Sequence, residues 1–116
     1  MGTEDLLREI LPAEIVDNFD MVRHEKTKER FDIYFDEKKL QTEEDAGNPA
    51  IISYGFTPYK SIQDYPLRGR ATYLHLRKRR WLDKQTGEFF SYEIDTSEYP
   101  GTRLNAEFVS FLKDGG

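Results

Sequence analysis

From Arg70 to Leu82 the side chains alternate in kind, and no other stretch restricts the fold as tightly. Thr72, Leu74 and Leu76 share one face of an extended segment, and Leu82 returns to it. Tyr73, His75, Arg77, Arg79 and Trp81 share the other. Successive side chains of a strand point to opposite sides of its sheet, so period-two alternation predicts one strand with an apolar face and a basic, aromatic face. Asp83-Lys84-Gln85-Thr86-Gly87 then closes a hairpin onto a strand from Glu88 to Tyr92. Asp64-Tyr65-Pro66-Leu67-Arg68-Gly69 is predicted as the turn that precedes Arg70, with proline presetting φ and glycine supplying a positive φ. Ala50 to Phe56 forms a short strand broken by Gly55 and Pro58.

The first half carries a second hairpin over residues 21–36. Phe31, Ile33 and Phe35 alternate with Asp32, Tyr34 and Asp36, and the turn falls in Glu25-Lys26-Thr27-Lys28-Glu29. Residues 37–49 are polar, contain Gly47, Asn48 and Pro49, and are predicted as loop, as are residues 93–104 with Pro100-Gly101. A helix opens the chain: Leu6, Leu7, Ile10, Leu11, Ile15 and Phe19 recur at helical spacing, with Thr3 or Asp5 at its cap. Pro12 splits this helix, and the second piece runs from Pro12 to Phe19. A last helix runs from Ala106 to Lys113, capped by Asn105, with Phe108, Phe111 and Leu112 as its stripe. The expected fold is therefore α+β: an antiparallel sheet of about four or five strands, built on two hairpins, with N- and C-terminal helices. Whether the hairpins share one sheet or form two stays open.

At 116 residues the chain suits one domain, with an acidic helix-hairpin half over 1–48 and a basic half over 50–116. Charged residues make up 34% and hydrophobic ones 37%, a polar balance, but 14% aromatic residues argue for a packed core. The net charge of −5 is unevenly spread. Residues 1–50 hold 14 acids against 7 bases, whereas residues 67–84 hold seven bases against Asp83 alone. Such asymmetry points to a local anion-binding surface; a solvated strand end is the competing explanation. Arg pairs with phosphate or a guanine edge and rings stack on exposed bases, so the basic and aromatic face suits nucleic acid. The candidate contacts are Arg68, Arg70, Arg77, Lys78, Arg79, Arg80, Trp81 and Lys84. For Trp81 a core position, with the arginines snorkelling outward, is favoured over a base contact.

Enzyme chemistry finds little footing. Asp64, Asp83 and Glu93 are carboxylates a two-metal centre needs, but acids are plentiful here and nothing makes these converge. Gly69 and Gly87 are isolated, so no phosphate-cradling loop is present, and His75 has no obvious carboxylate partner. There is no cysteine, which excludes disulfides, thiolate nucleophiles and thiolate zinc sites. His24 and His75 are too few and too far apart in sequence for a closed zinc site. No cofactor, metal or catalytic residue is expected. No apolar run approaches the roughly 18 residues of a membrane span, the N-terminus lacks a signal-peptide pattern, and a cytoplasmic, membrane-free protein is the expectation.

The motifs Leu11-Pro12-x-x-Ile15-Val16-x-x-Phe19, Phe31-x-Ile33-Tyr34-Phe35-Asp36-Glu37, Gly55-Phe56-x-Pro58, Asp64-Tyr65-Pro66-Leu67-Arg68-Gly69-Arg70, Leu74-His75-Leu76-Arg77-Lys78-Arg79-Arg80-Trp81, Thr86-Gly87-Glu88, Gly101-Thr102-Arg103 and Phe108-x-x-Phe111-Leu112-Lys113 stand in this order along the chain. Together they resemble the N-terminal region of a group of bacterial insertion-sequence transposases. The resemblance spans nearly the whole chain. Its Asp-x-Pro and Arg-Arg-aromatic core is also similar to the zinc-ribbon head of a wider transposase group, in which thiolates would stand at and near Asp83 and Gly87. The resemblance thus implies a ribbon-like β core that has lost its metal, with Trp81, Phe89, Phe90 and the helices supplying the lost stabilisation. In such elements the region precedes a catalytic domain with a carboxylate trio, or is encoded as a separate short frame. The family implies recognition of double-stranded DNA at element ends together with a catalytic transposase chain. The alternative is a protein-interaction or regulatory module that docks on that chain without touching DNA.

Overall fold

A computed structural model describes residues 11–95 and 106–113. The fold is α+β, with seven strands in two sheets and a helix near each end of the described chain. Helix α1 (Ala13–Asn18) starts directly after Pro12, whose fixed φ sets the entry and whose carbonyl accepts from the backbone of Ile15 and Val16. Strand β1 (Phe19–Lys26) turns through Thr27 to β2 (Arg30–Glu37), and the Thr27 amide donates to the Arg30 carbonyl at 2.8 Å. This antiparallel hairpin is the one expected from residues 21–36. The polar segment that follows holds a one-turn helix, α2 (Glu43–Ala46), which the loop assignment missed; the Thr42 side chain accepts from the Asp45 amide as its cap. The first piece of the opening helix, the Pro100-Gly101 turn and the Asn105 cap lie outside the described residues.

Strand β3 (Ile51–Phe56) is followed by a strand that the sequence reading did not find, β4 (Lys60–Leu67), leading into β5 (Arg70–Arg77). Pro66 had marked this segment as turn. It is tolerated because β4 lies at the edge of its sheet, where a missing N–H leaves no ladder bond unmade, and the register shifts between Asp64 and Leu67. The turn itself shrinks to Arg68-Gly69, at φ 51° and 77°, the positive pair that two-residue hairpins favour.

The four strands form one sheet in the order β1-β2-β5-β4. Its central contact, β2 on β5, is parallel, with Ile33 beside Leu74 and Phe35 beside Leu76. No hairpin pattern announces this pairing, since the two strands are separated by the whole of β3 and β4. Ile33, Phe35, Ile62, Leu74 and Leu76 line the inner face. They pack with Ile15 and Val16 of α1, with Ile94, and with Phe108 and Leu112 of α3 (Ala106–Lys113).

The strand expected to run from Arg70 to Leu82 is two strands in two sheets. At Lys78 the chain leaves the first sheet. The Lys78 amide donates to the Thr57 hydroxyl at 2.9 Å and its carbonyl accepts from the Thr57 amide at 2.8 Å. Strand β6 (Arg79–Asp83) then pairs antiparallel with β3 and with β7 (Glu88–Phe90), in the order β3-β6-β7. The inward phase changes at the crossing: Thr72, Leu74, Leu76 and Lys78 are buried, and the next buried residue is Trp81. Leu82 therefore does not rejoin the face of Leu74. The hairpin over Asp83–Gly87 forms as expected, closed by the Gly87 amide on the Asp83 carbonyl at 2.7 Å, with Gly87 at φ 74°. The positions matched to zinc thiolates thus sit in a turn fastened by its own backbone.

Candidate nucleic-acid interface

The eight candidate contacts do not form one patch. Arg68 and Arg70 sit at the β4–β5 turn. Arg80 and Lys84 lie beyond the sheet crossing, at most about 33 Å of extended chain from Arg70 to Arg80. Arg70 gives its Nε–H to the Thr27 carbonyl at 2.7 Å, Arg68 and Lys84 are exposed, and the Arg80 guanidinium lies 4.5 Å from the Phe89 ring centroid. Among the described residues, none of these four cations is paired with a carboxylate.

Of the other four, Lys78 and Trp81 are buried, Arg79 is held between the sheets and Arg77 faces outward but is paired, which corrects the expectation of one basic, solvent-facing strand. Trp81 is buried and makes the core of the second sheet, edge-on to Tyr92 at 5.7 Å, while Tyr92 meets Phe90 at 5.3 Å. Phe89, expected beside them, is instead 41% exposed. Lys78 is 1% exposed, and its ammonium donates to the Leu112 carbonyl at the end of α3 at 3.2 Å. Its charge and that of Arg79 act on Glu37, a buried carboxylate that accepts from the Arg79 amide at 2.9 Å. Burial nonetheless pushes the Glu37 carboxyl above its ordinary range. The Arg79 guanidinium donates to the Ser53 hydroxyl and to the Glu37 carbonyl, so it bridges the two sheets. Arg77 faces outward as expected, but it clamps Asp36 through two bonds of 2.6 and 3.0 Å, which raises its pKa further, and it lies over the Phe56 ring.

The outer face of the first sheet holds a second polar constellation. The Ser61 hydroxyl meets His75 Nδ1 at 2.5 Å, and His75 Nε2 meets Asp32 Oδ1 at 2.7 Å. Asp32 also accepts from Arg30 Nε at 2.8 Å, and the Tyr34 ring stacks on His75 at 4.5 Å. His75 thus has the carboxylate partner that the sequence did not reveal. Parallel pairing sets Tyr34 beside His75, which brings in an aspartate 43 residues away. Arg30 first, and then His75, hold the Asp32 carboxyl below the usual carboxylate range against the effect of burial. Arg30 claims much of this carboxylate's charge, so the array chiefly fastens β4, β5 and β2 across the outer face.

The second sheet opens onto a groove of about 390 Å³, lined among others by Tyr59, Lys60, Arg80, Phe89, Phe90 and Phe111. Lys60 is ion-paired with Glu107 at its rim. Of these six, the sequence reading singled out Arg80 as a contact and the three phenylalanines only as core residues. Tyr59 and Lys60 had no motif of their own, because the groove exists only where the second sheet meets β4 and α3. Comparisons with protein-family descriptions, with curated proteins and with solved structures find no match for this chain.

Proposed function

We propose that this chain is the DNA-binding accessory region of a bacterial insertion-sequence transposase, a cysteine-less relative of the zinc-ribbon heads, recognising element ends beside a separate or downstream catalytic domain. One observation carries the reading beyond the sequence resemblance. On a chain of net charge −5, Arg68, Arg70, Arg80 and Lys84 are unmatched by carboxylates among the described residues, while the neighbouring Arg77, Lys78 and Arg79 are consumed by the fold. Cations left unpaired beside an acidic body suit phosphate contact.

The test is a fluorescence-anisotropy titration with a blunt duplex of element-end sequence across a salt series. Four phosphate contacts give a log–log salt slope of about −3.6. Arg80→Gln with Lys84→Gln lowers its magnitude by about 1.8, whereas Arg77→Ala with Arg79→Ala leaves the slope of the folded fraction unchanged. A chain that binds no duplex at low salt, yet captures the catalytic transposase chain, is the interaction module instead. That second reading has its own observation: β1 is an edge strand, exposed from Asp20 to Lys26, with Val22 bulged out and 52% exposed.

A further inference from the structure

We infer that the groove beside β7 takes one unpaired nucleotide of a DNA end, its base on the Phe89 and Tyr59 rings and its phosphate at Arg80. The inference rests on the DNA reading above and narrows it to a frayed or single-stranded terminus. Phe89 and Tyr59 are 41% and 39% exposed, and both line the groove. Tyr54 and Arg80 meet Phe89, and Tyr34 and Arg77 meet Tyr59, but the area each ring still exposes in this concave site can take another flat group, and every base offers a π-face. At about 390 Å³ the groove falls within the range of small-ligand pockets, a size that suits one nucleotide better than a base pair.

The charges agree with one phosphate. Among the described residues of the lining, Lys60 is ion-paired with Glu107 and Lys78 donates to the Leu112 carbonyl, whereas the Arg80 guanidinium meets no carboxylate and lies 4.5 Å from the Phe89 ring centroid. The guanidinium lies over the Phe89 ring, so a base laid against the exposed part of that ring carries its phosphate within reach of the same cation. A purely apolar peptide would leave this guanidinium facing an uncharged partner, so the lining favours the nucleotide.

The experiment compares two oligonucleotides of identical sequence, one blunt and one with an unpaired terminus carrying 5-iododeoxyuridine, against the full chain. The unpaired end is expected to bind roughly 5- to 150-fold tighter, the span of one base–aromatic stack. The gain disappears in Phe89→Ala, returns in Phe89→Tyr, and shrinks with a lower salt slope in Arg80→Gln. Irradiation is expected to attach the iodinated base to Phe89, Tyr59 or Phe111. Unchanged thermal melting of Phe89→Ala shows that the hairpin survives. Equal affinity for both oligonucleotides, or an attachment site away from the groove, overturns the inference while leaving duplex binding intact. Failure of both oligonucleotides to bind at low salt overturns the DNA reading itself. Displacement of the unpaired end by no DNA competitor, but by a peptide of the catalytic chain, makes the groove a peptide site and also overturns it.

Discussion

Replacing Lys78 with methionine separates a structural cation from a DNA contact. The Lys78 side chain is 1% exposed at the point where the chain passes from one sheet to the other. Methionine has nearly its length and volume, so the packing loss is small. Two electrostatic losses remain. The Leu112 carbonyl loses a charged donor, worth about 1.5–3 kcal/mol. Glu37, 8% exposed, loses one of the two cations that favour its ionised form. The expected destabilisation is about 2–4 kcal/mol, which a domain with about 5–15 kcal/mol of stability survives. At roughly 4 °C per kcal/mol for this length, Tm falls by about 8–16 °C. Adding Glu37→Gln keeps an acceptor for the Arg79 amide and removes the buried carboxylate, so the double variant recovers about 1–3 kcal/mol. The sign with pH follows. A carboxyl whose folded pKa is raised costs stability as pH rises through that value, and without Lys78 it is raised further, so Lys78→Met falls behind more as the pH climbs above the ordinary glutamate range. Urea unfolding of the four-variant cycle at pH 5 and pH 8 measures all of this. The duplex salt slope is expected to stay at its wild-type value. A Lys78→Met variant within about 0.5 kcal/mol of wild type, with a slope reduced by about 0.9, would refute the buried placement and return Lys78 to the DNA surface.

Three further outcomes follow from other residues. Arg68→Asn is expected to stabilise by about 0.5–1 kcal/mol in urea unfolding, because Arg68 holds φ 51° in a two-residue turn where asparagine is less strained. The Tyr92 hydroxyl, half-buried and bonded to Asp45 at 2.6 Å, has its pKa pushed up to about 12 by desolvation and that carboxylate, so its contribution is present below pH 10 and lost as pH rises towards 12; Tyr92→Phe should flatten the alkaline limb of a Tm–pH curve. Asp32 is shifted the other way by Arg30 and His75, so its contribution is present above the ordinary aspartate pKa and lost as pH falls below it, and Asp32→Asn should flatten the acid limb. The two pH limbs are read by calorimetry or circular dichroism, and an unchanged limb counts against the corresponding bond.

The local elements were legible where one period governs a segment. Phe31, Ile33 and Phe35 announced β2, Thr72, Leu74 and Leu76 announced β5, and Asp83 to Gly87 announced the second hairpin, because each pattern depends only on neighbours along the chain. Phe108 and Leu112 likewise marked the buried stripe of α3. Element pairing across long separations was not legible. Asp32 meets His75 because β2 and β5 lie parallel, and Lys78 is buried because the strand changes sheets beside Thr57. Alternation continues on paper through Arg77, Lys78, Arg79 and Arg80, but the crossing resets its phase, and four adjacent bases take four different environments. Sequence alone shows that this segment is extended and strongly basic. Which of its charges stay available to a partner depends on Asp36, Glu37, Ser53 and Leu112, residues far away along the chain that only packing brings into reach.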